Sequence, residues 1–313
     1  MQQTCPMRVL LVVNSAASSV TARRRVIIQR ILGDGTDLYV AETRRRGHAT
    51  ALARAAVRSG TDAVVVLGGD GTLNEVATAL AGTECALAAL PGGSTNVFAR
   101  TIGLPDDPVG AAAVVASALR QRSIRPIGLG EVNGRFFCFH TGIGWDAALV
   151  EIVERHSELK RYAGHPLFIF AGLRTFLGGY DRRRGHFRVV FDDGEAIEDA
   201  YFCLVMNSDP YTYVGSRPFT VCPAADLHRP LSVLAFTRLQ VRDFLPVVVD
   251  ALADRSGVSP RAHLQIRTGV HGLRIERSTS MPYQLDGDFL GEADQLVFRH
   301  HPDAVGLVVP EET

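Results

Sequence analysis

Three glycines enclose one aspartate in Gly68-Gly69-Asp70-Gly71-Thr72-Leu73-Asn74-Glu75. Where side chains are absent the backbone can come close to a ligand, several N–H groups can converge on one anion, and a helix start adds positive potential. The natural guest is a phosphate. Thr72 and Glu75 have the spacing of a capping box. A plain helix cap explains that pair, but it requires neither Gly68 and Gly69 nor the Asp70 carboxylate beside them. A second turn, Pro91-Gly92-Gly93-Ser94-Thr95-Asn96, reads as an ordinary loop in isolation and as the other wall of a nucleotide site when paired with the first. Asn14 either ends a strand or reaches the same edge.

Residues 9–13, 38–41, 63–67 and 86–90 are short apolar runs that read as strands. Helical patterns at 22–32, 48–58, 73–80 and 111–119 alternate with them. Such β-α alternation predicts a parallel sheet covered on both faces, with ligands beyond the carboxyl ends of its strands. Both glycine turns fall at such ends. Beyond a boundary at 122–131 the pattern changes: 135–141, 187–191, 200–206, 231–236, 272–276 and 295–299 are strand-like and separated mostly by turns. Helical stretches at 165–177 and 241–253 interrupt them. The expectation is an α/β domain over residues 1–129 and a mainly antiparallel β domain over 130–313.

Composition removes several functions. Arginine plus lysine and aspartate plus glutamate balance at 33 each, so no global field draws the chain to nucleic acid. Lys160 is the only lysine, which excludes a Walker A phosphate loop and its essential lysine at the glycine turns. Five cysteines without a C-x-x-C pair argue against a zinc or dithiol motif and for a reducing compartment. No apolar run approaches a membrane span, and residues 1–8 lack the plan of a secretory signal. A cytoplasmic protein without a transmembrane segment is expected.

Gly68–Glu75 resembles the GGDGTxNE signature of the diacylglycerol kinase catalytic domain, a family of bacterial lipid kinases related to sphingosine kinases and distantly to NAD kinases. The similarity extends to Asn14, to Thr43 and the helix after it, and from Pro91 to Arg100. The resemblance implies a doubly wound parallel-sheet nucleotide domain, an antiparallel β domain holding the lipid substrate, an active site in the cleft between them, and phosphoryl transfer from ATP with Mg2+. It places ATP on Asn14, Thr43, Gly68, Gly69, Asp70, Gly71, Thr72, Asn74, Glu75, Gly92, Gly93, Ser94 and Asn96. Asp70 would meet the ATP-bound magnesium. The family's catalytic base lies in a late D-G-E turn, here Asp286-Gly287-Asp288, so Asp288 would be the base; an ordinary Asp-Gly hairpin has the same sequence. Three departures stand out. Arg229 and Pro230 replace an Asp-Gly pair that helps hold an accessory magnesium, the Asn14-Ser15-Ala16 turn lacks a proline, and Val97 replaces an aspartate.

Arginine triplets at 23–25, 44–46 and 182–184 are either solvated faces or, if clustered, a patch attracted to an anionic bilayer. The apolar, glycine-broken segment 162–180 suits an acyl groove or a core helix. The reading is an ATP-dependent kinase of diacylglycerol or a related lipid, peripherally associated with the membrane. Its expected partners are a lipid at the membrane surface and a second copy in a homodimer. An NAD-kinase-like phosphotransferase with a soluble substrate and a non-catalytic nucleotide-binding regulator are the alternatives.

Overall fold

The computed structural model of the chain describes residues 5–144, 187–238, 240–253 and 256–310. The expected helix at 165–177, the segment 162–180 and the arginines at 182–184 lie outside the described residues. The chain divides into two compact units, one running to Leu129 and resuming at Pro302, the other from Gly130 to His301.

In the first unit, β1 (Met7–Val13), α1 (Ala22–Gly33), β2 (Thr36–Glu42), α2 (His48–Arg58), β3 (Ala63–Gly68), α3 (Asp70–Leu80), β4 (Ala86–Pro91), α4 (Val97–Thr101) and α5 (Pro108–Gln121) follow in order. The strands pair in parallel as β2-β1-β3-β4. Every residue of β3 and β4 is buried, which is why both read as unbroken apolar runs. Small side chains let the helices lie close: α2 buries Ala49, Ala53 and Ala56, one face at helical spacing. Asp107 caps α5 by accepting the Gly110 N–H at 2.7 Å, with Pro108 in the first turn.

The chain then runs through β5 (Ile124–Val132), β6 (Arg135–Phe137), β7 (His140–Gly144), β8 (Phe187–Phe191), β9 (Ala196–Ala200), β10 (Phe202–Met206), β11 (Thr212–Val214), β12 (Arg217–Phe219), β13 (Leu231–Phe236), α6 (Val241–Ala253), β14 (Leu264–Val270), β15 (Gly272–Leu285) and β16 (Asp288–Val308). In the second unit, β14-β13-β10-β7-β15-β16 pair antiparallel, and β8 with β9 extends from β15. Alternation along these strands supplies two cores. One gathers Phe137, Ile143, Val205, Leu273 and Phe298; the other gathers Phe202, Leu204, Met206 and Phe236 with Val247 and Ala251 of α6. From Pro302, β16 belongs to the first unit, where Leu307 pairs in parallel with Leu87 of β4.

Gly130 sits opposite Phe137 in the β5–β6 pair, and the Phe137 ring covers it: a Cβ there would lie 2.1 Å from the ring. Phe137 is fully buried and edge-on to Phe298 at 6.2 Å between centroids, so the ring has nowhere to go. Gly130→Ala is therefore expected to destabilise the second unit by about 1–3 kcal/mol through overpacking. Urea unfolding, with α1 and α2 retained in the native baseline, measures it; an unchanged midpoint would show that the ring can yield.

Candidate active site

The first turn's backbone requires the glycines of the second. Gly92 donates its N–H to the Gly68 carbonyl at 2.9 Å. A Cβ on Gly92 would lie 2.7 Å from the Gly68 nitrogen and 2.8 Å from its Cα, and one on Gly93 would lie 2.8 Å from the Gly69 Cα. The turns after β3 and β4 thus pack backbone on backbone. Ser19, in the loop after β1, donates its N–H to the Gly92 carbonyl at 2.9 Å and adds that loop to the assembly.

Asp70 ties the turns a second time. Its two carboxylate oxygens accept the N–H groups of Val97 and Phe98, at 3.0 and 3.1 Å. Asn96 adopts a left-handed φ of 50°, and its side chain accepts the Gly93 N–H at 2.7 Å and donates to Asp106 at 3.2 Å. Ser94 stands exposed at the tip of this turn, while Asn74 is buried in α3. Gly68, Gly69, Asp70, Pro91 and Asn96 line a small depression. A larger open concavity in the second unit, lined by Arg188, Arg274 and Arg299, contains none of the candidate residues.

The expected start of α3 needs correction. The helix begins at Asp70, with Gly69 as a cap lacking any side-chain bond, so Thr72 and Glu75 form no capping box. Its hydrogen-bond ladder opens with the Thr72 and Leu73 N–H groups on the Gly69 carbonyl. The amides of Asp70 and Gly71 precede that ladder, as the first amides of any helix do. Glu75 instead caps α2, accepting the N–H groups of Gly47 and Ala49 at 2.7 and 3.0 Å. Thr72 Oγ1 accepts from Asn14 Nδ2 at 3.0 Å, and the Thr43 N–H bonds to the Val13 carbonyl. Asn14, Thr43, Gly68–Glu75 and Gly92–Asn96 therefore gather at the carboxyl ends of β1 to β4.

In the second unit, Asp286 and Gly287 form a two-residue hairpin with Leu285 opposite Asp288. Both turn residues have positive φ, 48° and 83°, the signature of a type I′ turn. Asp288 is half-buried at the start of β16. Asp286 is buried and accepts three backbone N–H groups, from Cys138, Phe139 and His140. Sequence reasoning passed over this residue in favour of Asp288, although the Asp-Gly step itself was the visible signal. Near Arg229, Asp226 accepts the His228 N–H in a local turn, and Arg229 is exposed. Among the described residues no three His, Cys, Asp or Glu side chains gather as a metal cluster.

The first arginine triplet is only partly available for a membrane patch. Arg24 donates to the Ser19 carbonyl at 3.1 Å and Arg25 pairs with Glu42, which leaves Arg23 pointing to solvent from the start of α1. Among the described residues no helix is long and apolar enough to cross a membrane.

A parallel α/β unit with two interlocked glycine turns at its sheet's carboxyl edge, joined to an antiparallel β unit, is the architecture of diacylglycerol-kinase-like proteins. A crystal structure of a diacylglycerol kinase from Bacillus anthracis has the same fold, with a TM-score of 0.73, 20% identity and 99% of both chains covered. The model of the diacylglycerol kinase catalytic domain matches residues 8–132. A Pseudomonas aeruginosa protein named "Probable lipid kinase YegS-like" is 30% identical over 306 residues, covering 97% of this chain and 94% of that one. A Bacillus subtilis protein named "Diacylglycerol kinase" is 33% identical over 150 residues, 47% of this chain and 48% of its own. The chain belongs to the diacylglycerol kinase catalytic-domain family and is a kinase-type phosphotransferase.

His140, beside the Asp286 carboxylate, packs its ring 4.3 Å from that of Tyr211, and burial lowers its pKa from 6.5 to about 3. Its Nδ1 has no partner among the described residues. Between those two pKa values the unfolded chain binds more protons than the folded one. Stability is therefore full above about pH 6.5 and falls as pH drops through that window, by up to about 1.4 kcal/mol per unit. His140→Phe is expected to flatten this slope by up to one proton, as read from urea unfolding between about pH 4 and pH 7; an unchanged slope would mean the imidazole is already charged in the fold.

Proposed function

We propose that the chain transfers the γ-phosphate of ATP to a hydroxyl of diacylglycerol or a related lipid. The observation that carries this reading is the pair of glycine turns locked backbone to backbone, with Asp70 at their junction. A side-chain-free turn that runs straight into a helix start suits a phosphate chain, and the first amides of α3 point positive potential at it. The residues also fit ATP-bound magnesium: a carboxylate oxygen accepts more than one partner, and Mg2+ held by phosphates and water needs only one or two carboxylates. Magnesium would neutralise charge on the phosphates during transfer.

In this reading the chain's own part is largely positioning. The amides of Gly69 to Gly71 at the start of α3 meet the triphosphate, which lies along the backbone of Gly68, Thr72, Gly92 and Gly93, with Ser94 and Asn96 on the second turn. Asn14, Asn74 and Thr43 border the nucleotide, and Glu75 acts by fixing the segment between Thr43 and α2. Asp288 accepts the proton that the lipid hydroxyl loses as it attacks. A water-insoluble acceptor brings the protein to a bilayer surface.

Transfer of labelled γ-phosphate to diacylglycerol, ceramide, sphingosine, phosphatidylinositol and NAD, with and without vesicles, tests the function. Label in a lipid supports it; label in NAD alone, or ATP binding without turnover, overturns it. Asp70→Asn should lower turnover greatly. It should also lower the melting temperature modestly, since an amide offers one oxygen to two N–H donors, a loss of about 1–3 kcal/mol. Near-normal turnover would remove Asp70 from the site. Asp288→Asn should cut kcat by roughly 10²–10⁴-fold with little change in ATP affinity, and Asp288→Glu should retain more activity than Asn. A folded Asp288→Asn protein with wild-type kcat would return the turn to a purely structural role.

A further inference from the structure

We propose that Asp286 is a positioning residue for phosphoryl transfer: its buried carboxylate, clamped by three consecutive backbone N–H groups, fixes the hairpin that presents Asp288. The inference rests on Asp288 being the base. In an ordinary Asp-Gly hairpin the aspartate lies in solvent, and its side chain serves only to tolerate a positive φ. Here Asp286 is 5% exposed. Its Oδ2 accepts the Cys138 N–H at 2.7 Å, and its Oδ1 accepts those of Phe139 and His140 at 2.9 and 3.1 Å. Burying a carboxylate is costly unless such charge-assisted bonds replace water, so the arrangement exceeds what a turn needs.

The rest of the hairpin is pinned as firmly. The Asp286 N–H donates back to the His140 carbonyl at 2.9 Å, and the Gly287 N–H donates to Oε1 of buried Gln284 at 2.8 Å. The segment that receives the carboxylate is anchored in turn. Residues 138 and 139 lead into β7, which lies between β10 and β15, and the Phe139 carbonyl accepts the Asn207 N–H at 2.8 Å. Asp288, two residues from the clamp and paired with Leu285, inherits this rigidity. A catalytic carboxylate gains most from such support, because a displacement of about 1 Å can cost roughly 10²-fold in rate.

The test is a double-mutant cycle on the full chain, with ATP and 1,2-dioleoylglycerol in phosphatidylglycerol vesicles, each protein checked for folding by circular dichroism. Asp286→Asn keeps a residue favoured in type I′ turns but presents an NH2 group where three N–H groups already point. It is expected to lower kcat by roughly 10–10²-fold with the KM for ATP unchanged, while hydrogen exchange at residues 138–140 speeds up. In the Asp288→Asn background the same change should cost less than about threefold, because the residue it positions is already disabled. Gln284→Leu, which removes the acceptor of the Gly287 N–H and leaves Asp286 in place, should move kcat in the same direction and show the same non-additivity. It keeps the proposal testable should Asp286→Asn not fold. If Asp288→Asn lowers kcat while Asp286→Asn and Gln284→Leu do not, or if the losses multiply, the positioning role is wrong and the base assignment survives. If Asp288→Asn has no effect, or the wild type transfers nothing to lipid, the base or function reading fails and this inference fails with it.

Discussion

Four glycines in direct backbone contact set the geometry on which the first unit's candidate site depends. Cβ atoms on Gly92 and Gly93 would run into the backbone of Gly68 and Gly69, and one on Gly68 would press on Thr72 and Asn14. Neighbouring parallel strands lie about 4.8 Å apart, and turns leaving their ends normally diverge, because their side chains need space. Removing the side chains lets the two turns continue the contact of β3 and β4 one step past the sheet, through the Gly92 N–H on the Gly68 carbonyl. From that contact follow the placement of α3, which starts immediately at Asp70, and the reach of Asp70 to the amides at the start of α4.

Several carboxylates in this chain share one job: they hold backbone. Asp70 binds two amides, Glu75 two, Asp209 two and Asp286 three, and each joins segments distant in sequence. An anion among N–H groups costs less to bury than an isolated charge, and it fixes direction as well as distance. For Asp209, burial raises the carboxyl pKa while the amides of Cys222 and Val221 pull it back down. Loops that would otherwise be mobile thereby become part of the scaffold. The same chemistry makes a clamp hard to distinguish from a catalytic acid in sequence, since both require a carboxylate at a turn.

Local patterns were legible where local physics decides. α2 spans residues 48–58, β13 residues 231–236 and α6 residues 241–253, as their periodicity predicts. The two glycine turns were recognisable from composition and from their place after apolar runs. Where the sequence misled, a long-range contact had taken over. The expected strand 135–141 breaks into β6 and β7, and the intervening amides of Cys138 and Phe139 serve the Asp286 carboxylate. β15 and β16 run far beyond the apolar runs at 272–276 and 295–299, because their far parts pair with each other next to the 286–287 turn and β15 also pairs with β7, burying Met281 and Leu285. The return of the chain to β4 through Leu307 is likewise a long-range pairing with no local signature.

The departures from the family's motif acquire a physical meaning once the contacts are separated into backbone and side chain. The proline missing after Asn14 would have stiffened that turn; here Asn14 Oδ1 accepts the Ala16 N–H at 3.1 Å, and Ser15 bonds Glu42 at 2.7 Å, which does similar work. Hydrogen bonds from Ser15 and then Arg25 hold the Glu42 carboxyl below its usual range, so this substitute remains charged at neutral pH. Val97, in place of an aspartate, keeps the one group the turn requires, an N–H for Asp70, and buries its side chain beneath the second turn. Each of these replacements leaves the backbone contacts of the glycine turns intact. A site whose donors are main-chain amides can change side chains at its margin and keep its shape, whereas a change at Gly68, Gly92 or Gly93 would alter the shape itself.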